Sequence, residues 1–144
     1  MRSPVRILIV EDDGDLREVL KFVLEDAGYK VEVSSTGKDA PRIVEAKEID
    51  LVILDLTLSG ASGLDVARDL RAHEATAEVL IAIHTGQTEA PVRAEFADYD
   101  TFIPKGDDAE LVLRSVSEVL AKKSLIHAPA LASAECAPVS APPA

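Results

Sequence analysis

Short, largely apolar runs, each cut off by an acid or another polar group, constrain this chain more than any other feature. Ile7-Leu8-Ile9-Val10 stops at Glu11-Asp12-Asp13, and Leu51-Val52-Ile53-Leu54 stops at Asp55. Val79 to His84 stops at Thr85, and Thr101 to Ile103 is followed by Pro104 and Lys105. Apolar runs without alternation fit strands buried on both faces, which is the habit of parallel sheets. In an open parallel sheet these strand ends share one edge, and ligands bind there. Acids at that edge can hold a hard divalent cation, and a hydroxyl and an ammonium beside them can hold a phosphoryl group.

Amphipathic stretches separate the runs. Leu16, Val19, Leu20, Val23 and Leu24 recur at helical spacing over Asp15–Ala27, with Asp13 or Gly14 placed to start that helix and Gly28 to end it. Similar patterns predict helices over Lys38–Lys47, Gly63–Ala72, Ala90–Ala97 and Asp107–Lys123, and strands over Val5–Val10, Lys30–Ser34, Ile49–Leu54, Val79–His84 and Thr101–Ile103. Pro41 is tolerable only near the first turn of its helix. Strands alternating with helices give an α/β fold, a parallel sheet covered on both faces. One domain is expected over residues 4–124, followed by a disordered Ala/Pro-rich tail at 125–144.

The formal net charge of −11 argues against direct nucleic-acid binding and favours a divalent cation. The single cysteine, Cys136, permits no intrachain disulfide, which fits a reducing compartment. No apolar run approaches the roughly 20 residues needed to span a bilayer. The start at Met1-Arg2-Ser3-Pro4 shows no signal peptide, so a cytoplasmic protein is expected.

The segments RILIVEDDGDLREVL, DLVILDLTLSGASGLDV, LIAIHTGQ and DTFIPKGD, in that order and spacing, resemble the receiver domain of bacterial two-component response regulators. The resemblance covers about Val5 to Lys123 and implies a flavodoxin-like, doubly wound, five-stranded sheet of order 2-1-3-4-5 with five helices. The fourth helix is expected to be short or irregular. Arg17, five positions after Asp12, sets the register of the acidic run, so that the family's acid pair falls on Glu11 and Asp12. Asp13 is then expected to cap the first helix.

The resemblance implies roles for individual residues. Asp55 would be the phospho-acceptor, taking its phosphoryl group from a phosphohistidine on a sensor histidine kinase or phosphotransfer protein. Magnesium would be held by Asp12, Asp55 and the main-chain carbonyl of Thr57, with Glu11 acting through water. Lys105 and the hydroxyl of Thr85 would contact phosphoryl oxygens. Thr85 and Phe102 would form a switch, although Phe102 fits core packing equally well. His84 reads as a structural strand-end residue, and His73 and His127 as surface or tail residues.

Several positions depart from the family pattern. Gly106 stands after Lys105 where proline is common, so that bond is expected to be trans. The interval from Thr85 to Lys105 is short, Ala97-Asp98-Tyr99 replaces a frequent glycine turn, and Ser59 replaces a frequent proline. Taken together, a stand-alone receiver is expected: no enzyme toward external substrates, a downstream protein target, no direct DNA binding, no membrane, and a homodimer left open. The alternative is a phosphorylation-independent interaction module with a receiver fold. A phosphatase of the haloacid dehalogenase type is disfavoured, because Thr57 stands where a second aspartate is needed.

Overall fold

The computed structural model describes residues 4–58, 61–106 and 108–123. Strands β1 (Arg6–Val10), β2 (Lys30–Ser34) and β3 (Leu51–Leu54) alternate with helices α1 (Gly14–Asp26) and α2 (Ala40–Ala46). Two short strands follow, β4 (Thr57–Leu58) and β5 (Ala61–Ser62), and lead into α3 (Gly63–Ala72). The chain continues through β6 (Leu80–Thr85), α4 (Glu89–Glu95), β7 (Thr101–Pro104) and α5 (Ala109–Lys122). The main sheet runs β2-β1-β3-β6-β7 with every pairing parallel. Counting only its own strands, this is the expected order 2-1-3-4-5.

Both faces of the sheet are covered, which is why the central strands lack alternation. Leu8, Val10, Val52, Leu54, Ile81 and Ile83 pack toward α2, α3 and α4. Ile7, Ile9, Leu51, Ile53, Ala82 and Ile103 face α1 and α5, meeting Leu20, Leu24, Val112 and Val116. At the end of α1, Gly28 has φ 102°, a conformation that costs glycine little. Its amide bonds to Glu25 O at 3.0 Å and the Tyr29 amide to Leu24 O at 3.2 Å, a Schellman ending.

The differences from expectation lie mainly at element ends. The second helix starts at Ala40 rather than Lys38, because Gly37 (φ 82°) and the bond from Ala40 N to Gly37 O form a turn first; Pro41 falls in the opening turn. The third strand starts at Leu51, since the Asp50 carboxylate accepts from Arg6 N at 2.9 Å. The fourth helix covers Glu89–Glu95 rather than Ala90–Ala97; the chain turns extended at Phe96, which is buried. Helix α5 starts at Ala109, with Asp108 as its cap accepting from Glu110 N at 2.9 Å. The β4–β5 hairpin, pairing Thr57 with Ser62 and Leu58 with Ala61, was not expected. There is no cis peptide bond among the described residues, so Lys105–Gly106 is trans. The expected tail, with His127 and Cys136, and Ser59 lie outside the described residues.

Candidate functional site

Sheet hydrogen bonding persists one residue past three strands, and this sets the positions of the polar residues that follow. Glu11 N bonds to Ser34 O at 3.0 Å, Asp55 N to Val10 O at 3.0 Å, and Lys105 N to Thr85 O at 2.8 Å. The backbones of Glu11, Asp55 and Lys105 are thus fixed in register along one sheet edge. Gly63, first residue of α3, presses on the same backbone: its amide donates to Leu56 O at 3.0 Å. A Cβ at Gly63 would lie 2.2 Å from Asp55 O, so only glycine fits without displacement.

The side chains converge. Lys105 Nζ lies 3.1 Å from Glu11 Oε1 and 3.3 Å from Asp55 Oδ2. The other Asp55 oxygen, Oδ1, accepts from Thr57 N at 3.1 Å. Glu11 Oε2 accepts from Asp13 N at 3.2 Å, whereas Oε1 meets Lys105 only as an ion pair, its geometry falling short of a hydrogen bond. Arg17 Nη1 donates to the Glu11 carbonyl at 2.8 Å and braces the turn from behind. Carboxylate oxygens of Glu11, Asp12 and Asp55 all lie within 4.8 Å of one another. Glu11 and Asp55 are buried and Asp12 is exposed, so the cluster opens to solvent on one side.

The electrostatics follow from that crowding. Burial, with the nearby Asp55 charge adding to it, raises the Glu11 pKa; Lys105 and the Asp13 amide oppose the rise. Burial works against the Lys105 charge, yet Glu11 and Asp55 outweigh it and hold its pKa above the ordinary value. An all-oxygen set with an incompletely satisfied buried carboxylate oxygen fits a hard divalent cation such as magnesium.

The remaining sequence candidates fall nearby. Thr85 is buried, and its hydroxyl accepts from Gln87 N at 3.2 Å within its own turn. Phe102 is half-buried against the α2–α3–α4 side of the core, its ring 6.0 Å from Tyr99 and tilted by 52°. Asp13 caps α1 as expected, accepting from Asp15 N at 3.0 Å and Leu16 N at 3.3 Å. His84 is buried on β6; burial first and Lys105 second lower its pKa to about 4, so its imidazole is neutral. His73 is exposed after α3. Sequence reasoning missed Gly63, whose only signal was a glycine opening a helix.

The model of the response regulator receiver domain matches residues 7–117. The chain belongs to the response regulator receiver domain family. It is 36% identical over 109 residues to the DNA-binding response regulator MtrA of Mycobacterium tuberculosis, an alignment covering 76% of this chain and 48% of MtrA. It is 30% identical over 118 residues to protein PetR of Rhodobacter capsulatus, covering 82% of this chain and 49% of PetR. Among solved structures, the non-phosphorylated HemR receiver domain of Leptospira biflexa superposes with a TM-score of 0.74 at 33% identity, covering 83% of this chain and 95% of that one. The chemotaxis protein CheY4 of Vibrio cholerae shares the fold, with a TM-score of 0.77 at 22% identity, over 82% of this chain and 100% of that one.

These relatives overturn one expectation. The receiver spans about half the length of MtrA and PetR, and MtrA is a DNA-binding response regulator. The partner set with no direct DNA binding, inferred from the net charge of −11, therefore fails. A charge balance speaks only for the residues counted, and the matched relatives carry as much chain again outside the alignment. No helix among the described residues is long and apolar enough to cross a membrane.

Proposed function

We propose that this receiver accepts a phosphoryl group on Asp55 from a phosphohistidine of a sensor kinase or phosphotransfer protein, and that the phosphorylated state alters what the domain binds or relays. In the transfer, an Asp55 carboxylate oxygen forms the new P–O bond, the P–N bond of the donor breaks, and the leaving imidazole nitrogen retains the electron pair and takes up a proton. Magnesium, bound by Asp12, Asp55 and the Thr57 carbonyl with Glu11 behind water, would supply charge neutralisation for the phosphoryl oxygens. Thr57 N, on Asp55 Oδ1, orients the nucleophile. Lys105, held within reach of Asp55 by Glu11, offers its ammonium to a phosphoryl oxygen. Thr85 would leave its bond with Gln87 N and donate its hydroxyl to another oxygen, with Phe102 following into the space released.

The juxtaposition of Lys105, Glu11 and Asp55 beside exposed Asp12 carries this proposal. If the domain serves DNA binding, a property the name of MtrA gives that protein, phosphorylation would be the input and the face around Phe102 the output. Incubation with magnesium and acetyl phosphate should yield an acid-stable, hydroxylamine-sensitive phosphoryl adduct by intact mass, lost in Asp55→Asn and with chelator. An adduct that survives Asp55→Asn, or none in the parent protein, would defeat the assignment.

A further inference from the structure

Helix α4 is an unusual joint. It has seven residues, too few to be stable by itself, and its N-cap Thr88 makes no side-chain capping bond. Side-chain contacts to Tyr99, beyond its C-terminus, tie down its first turn. Tyr99 Oη donates to Glu89 Oε2 at 2.6 Å, and Arg93 Nε donates to Tyr99 Oη at 3.1 Å. Arg93 also pairs with Glu89, and its guanidinium carbon lies 5.9 Å from the Tyr99 ring centroid. On the other side, the Tyr99 ring leans on Phe102. Glu89 follows Thr85 by four positions, and the turn between them is closed by the bond from Gln87 N to Thr85 Oγ1. Covalent chain and side-chain contacts thus run without a break from Thr85 through Glu89 and Tyr99 to Phe102.

We propose that Tyr99, Glu89 and Arg93 form a latch that holds α4 and the start of β7 in the resting arrangement, and so sets the energetic threshold for the switch. The latch rests on the assignment of Asp55 as phospho-acceptor and adds a regulator that the acceptor site itself does not contain. In the arrangement described, the Thr85 hydroxyl is engaged within its own turn. Recruiting it toward Asp55 pulls on residues 86–89, while a charge-assisted bond anchors Glu89 to Tyr99. Rotation of Phe102 also has to alter its contact with the Tyr99 ring. A bond present in one arrangement and strained in the other biases the equilibrium between them; a bond equally good in both does not.

Beryllium fluoride, a mimic of a carboxylate-bound phosphoryl group, tests the latch. The full chain, Tyr99→Phe, Glu89→Ala and Asp55→Asn are titrated by calorimetry, first with magnesium alone and then with beryllium fluoride at saturating magnesium; thermal melts check folding. Tyr99→Phe keeps the ring and removes only the hydroxyl, and Glu89→Ala removes the acceptor from a half-buried position at the helix start, so the two variants need not fail together. The latch predicts about three- to tenfold tighter beryllium fluoride binding in both variants, with magnesium affinity unchanged. Unchanged or weaker beryllium fluoride binding, or an equal change in magnesium affinity, overturns the latch and leaves Asp55 as acceptor. Absence of Asp55-dependent binding in the parent chain overturns the acceptor assignment, and the latch with it.

Discussion

Replacing Lys105 by methionine removes the ammonium that bridges two nearly inaccessible carboxylates, Glu11 and Asp55, whose side chains are 2% and 3% exposed. At an effective dielectric of about 20, contacts at 3.1 and 3.3 Å are each worth roughly 5 kcal/mol before solvation is counted. The net cost is smaller, because a stranded carboxylate can take up a proton. For a carboxyl with an ordinary pKa of 4.5, protonation at pH 7 costs about 3.4 kcal/mol, at roughly 1.36 kcal/mol per pH unit. Glu11 starts above that value, so a loss of about 2–3 kcal/mol is expected at pH 7. A raised carboxyl contributes stability that is fully present below its unfolded pKa and is lost as pH climbs through its folded pKa. Lys105→Met pushes the folded pKa higher still, which extends the loss upward in pH. The gap between the two proteins should therefore shrink to below about 1 kcal/mol at pH 5. Urea unfolding of both proteins in chelator, at pH 7 and pH 5, measures this. A gap under about 0.5 kcal/mol at pH 7, or one of equal size at both pH values, would show that Lys105 does not neutralise the buried pair.

Two further substitutions probe the supports of the site. Gly63→Ala places a Cβ 2.2 Å from Asp55 O and 2.6 Å from Leu56 Cα; it should cost about 2 kcal/mol or more in urea unfolding and weaken beryllium fluoride binding, and a neutral result in both would show that α3 does not fix Asp55. Arg71 donates to the carbonyls of Ala77 and Val79 and to Asp100 Oδ2, which also accepts from Ile81 N. Arg71→Met should cost about 2–4 kcal/mol and speed hydrogen exchange at the Ile81 amide; unchanged exchange there would show that the clamp does not hold β6.

The sheet was legible because its central strands are largely apolar: Val52 and Ile81 fill one covered face and Leu51 and Ala82 the other, so neither face alternates to polar residues. The convergence of Glu11, Asp12, Asp55 and Lys105 was legible for a related reason: parallel register turns strand ends into neighbours. The β4–β5 hairpin escaped because two-residue strands carry no periodicity. Gly63 escaped because a close backbone approach is a relation between two segments, and one glycine codon position looks like any other. The same holds for Tyr99, whose partners Glu89 and Arg93 lie ten and six positions away across a helix end that sequence placed two residues too late. The expectation about DNA failed for another reason: net charge describes only the residues counted, and the aligned relatives are about twice the length of the matched span.

The ammonium that pairs with Glu11 arrives from 94 positions further along the chain, one residue past the strand at the sheet's border. A chain cut anywhere between α3 and β7 would still contain the acids but not the ammonium, and their mutual repulsion would loosen the edge that β1 and β3 share. Competence at this edge is thus an integrity check: a polypeptide that has not placed its last strand cannot neutralise its first.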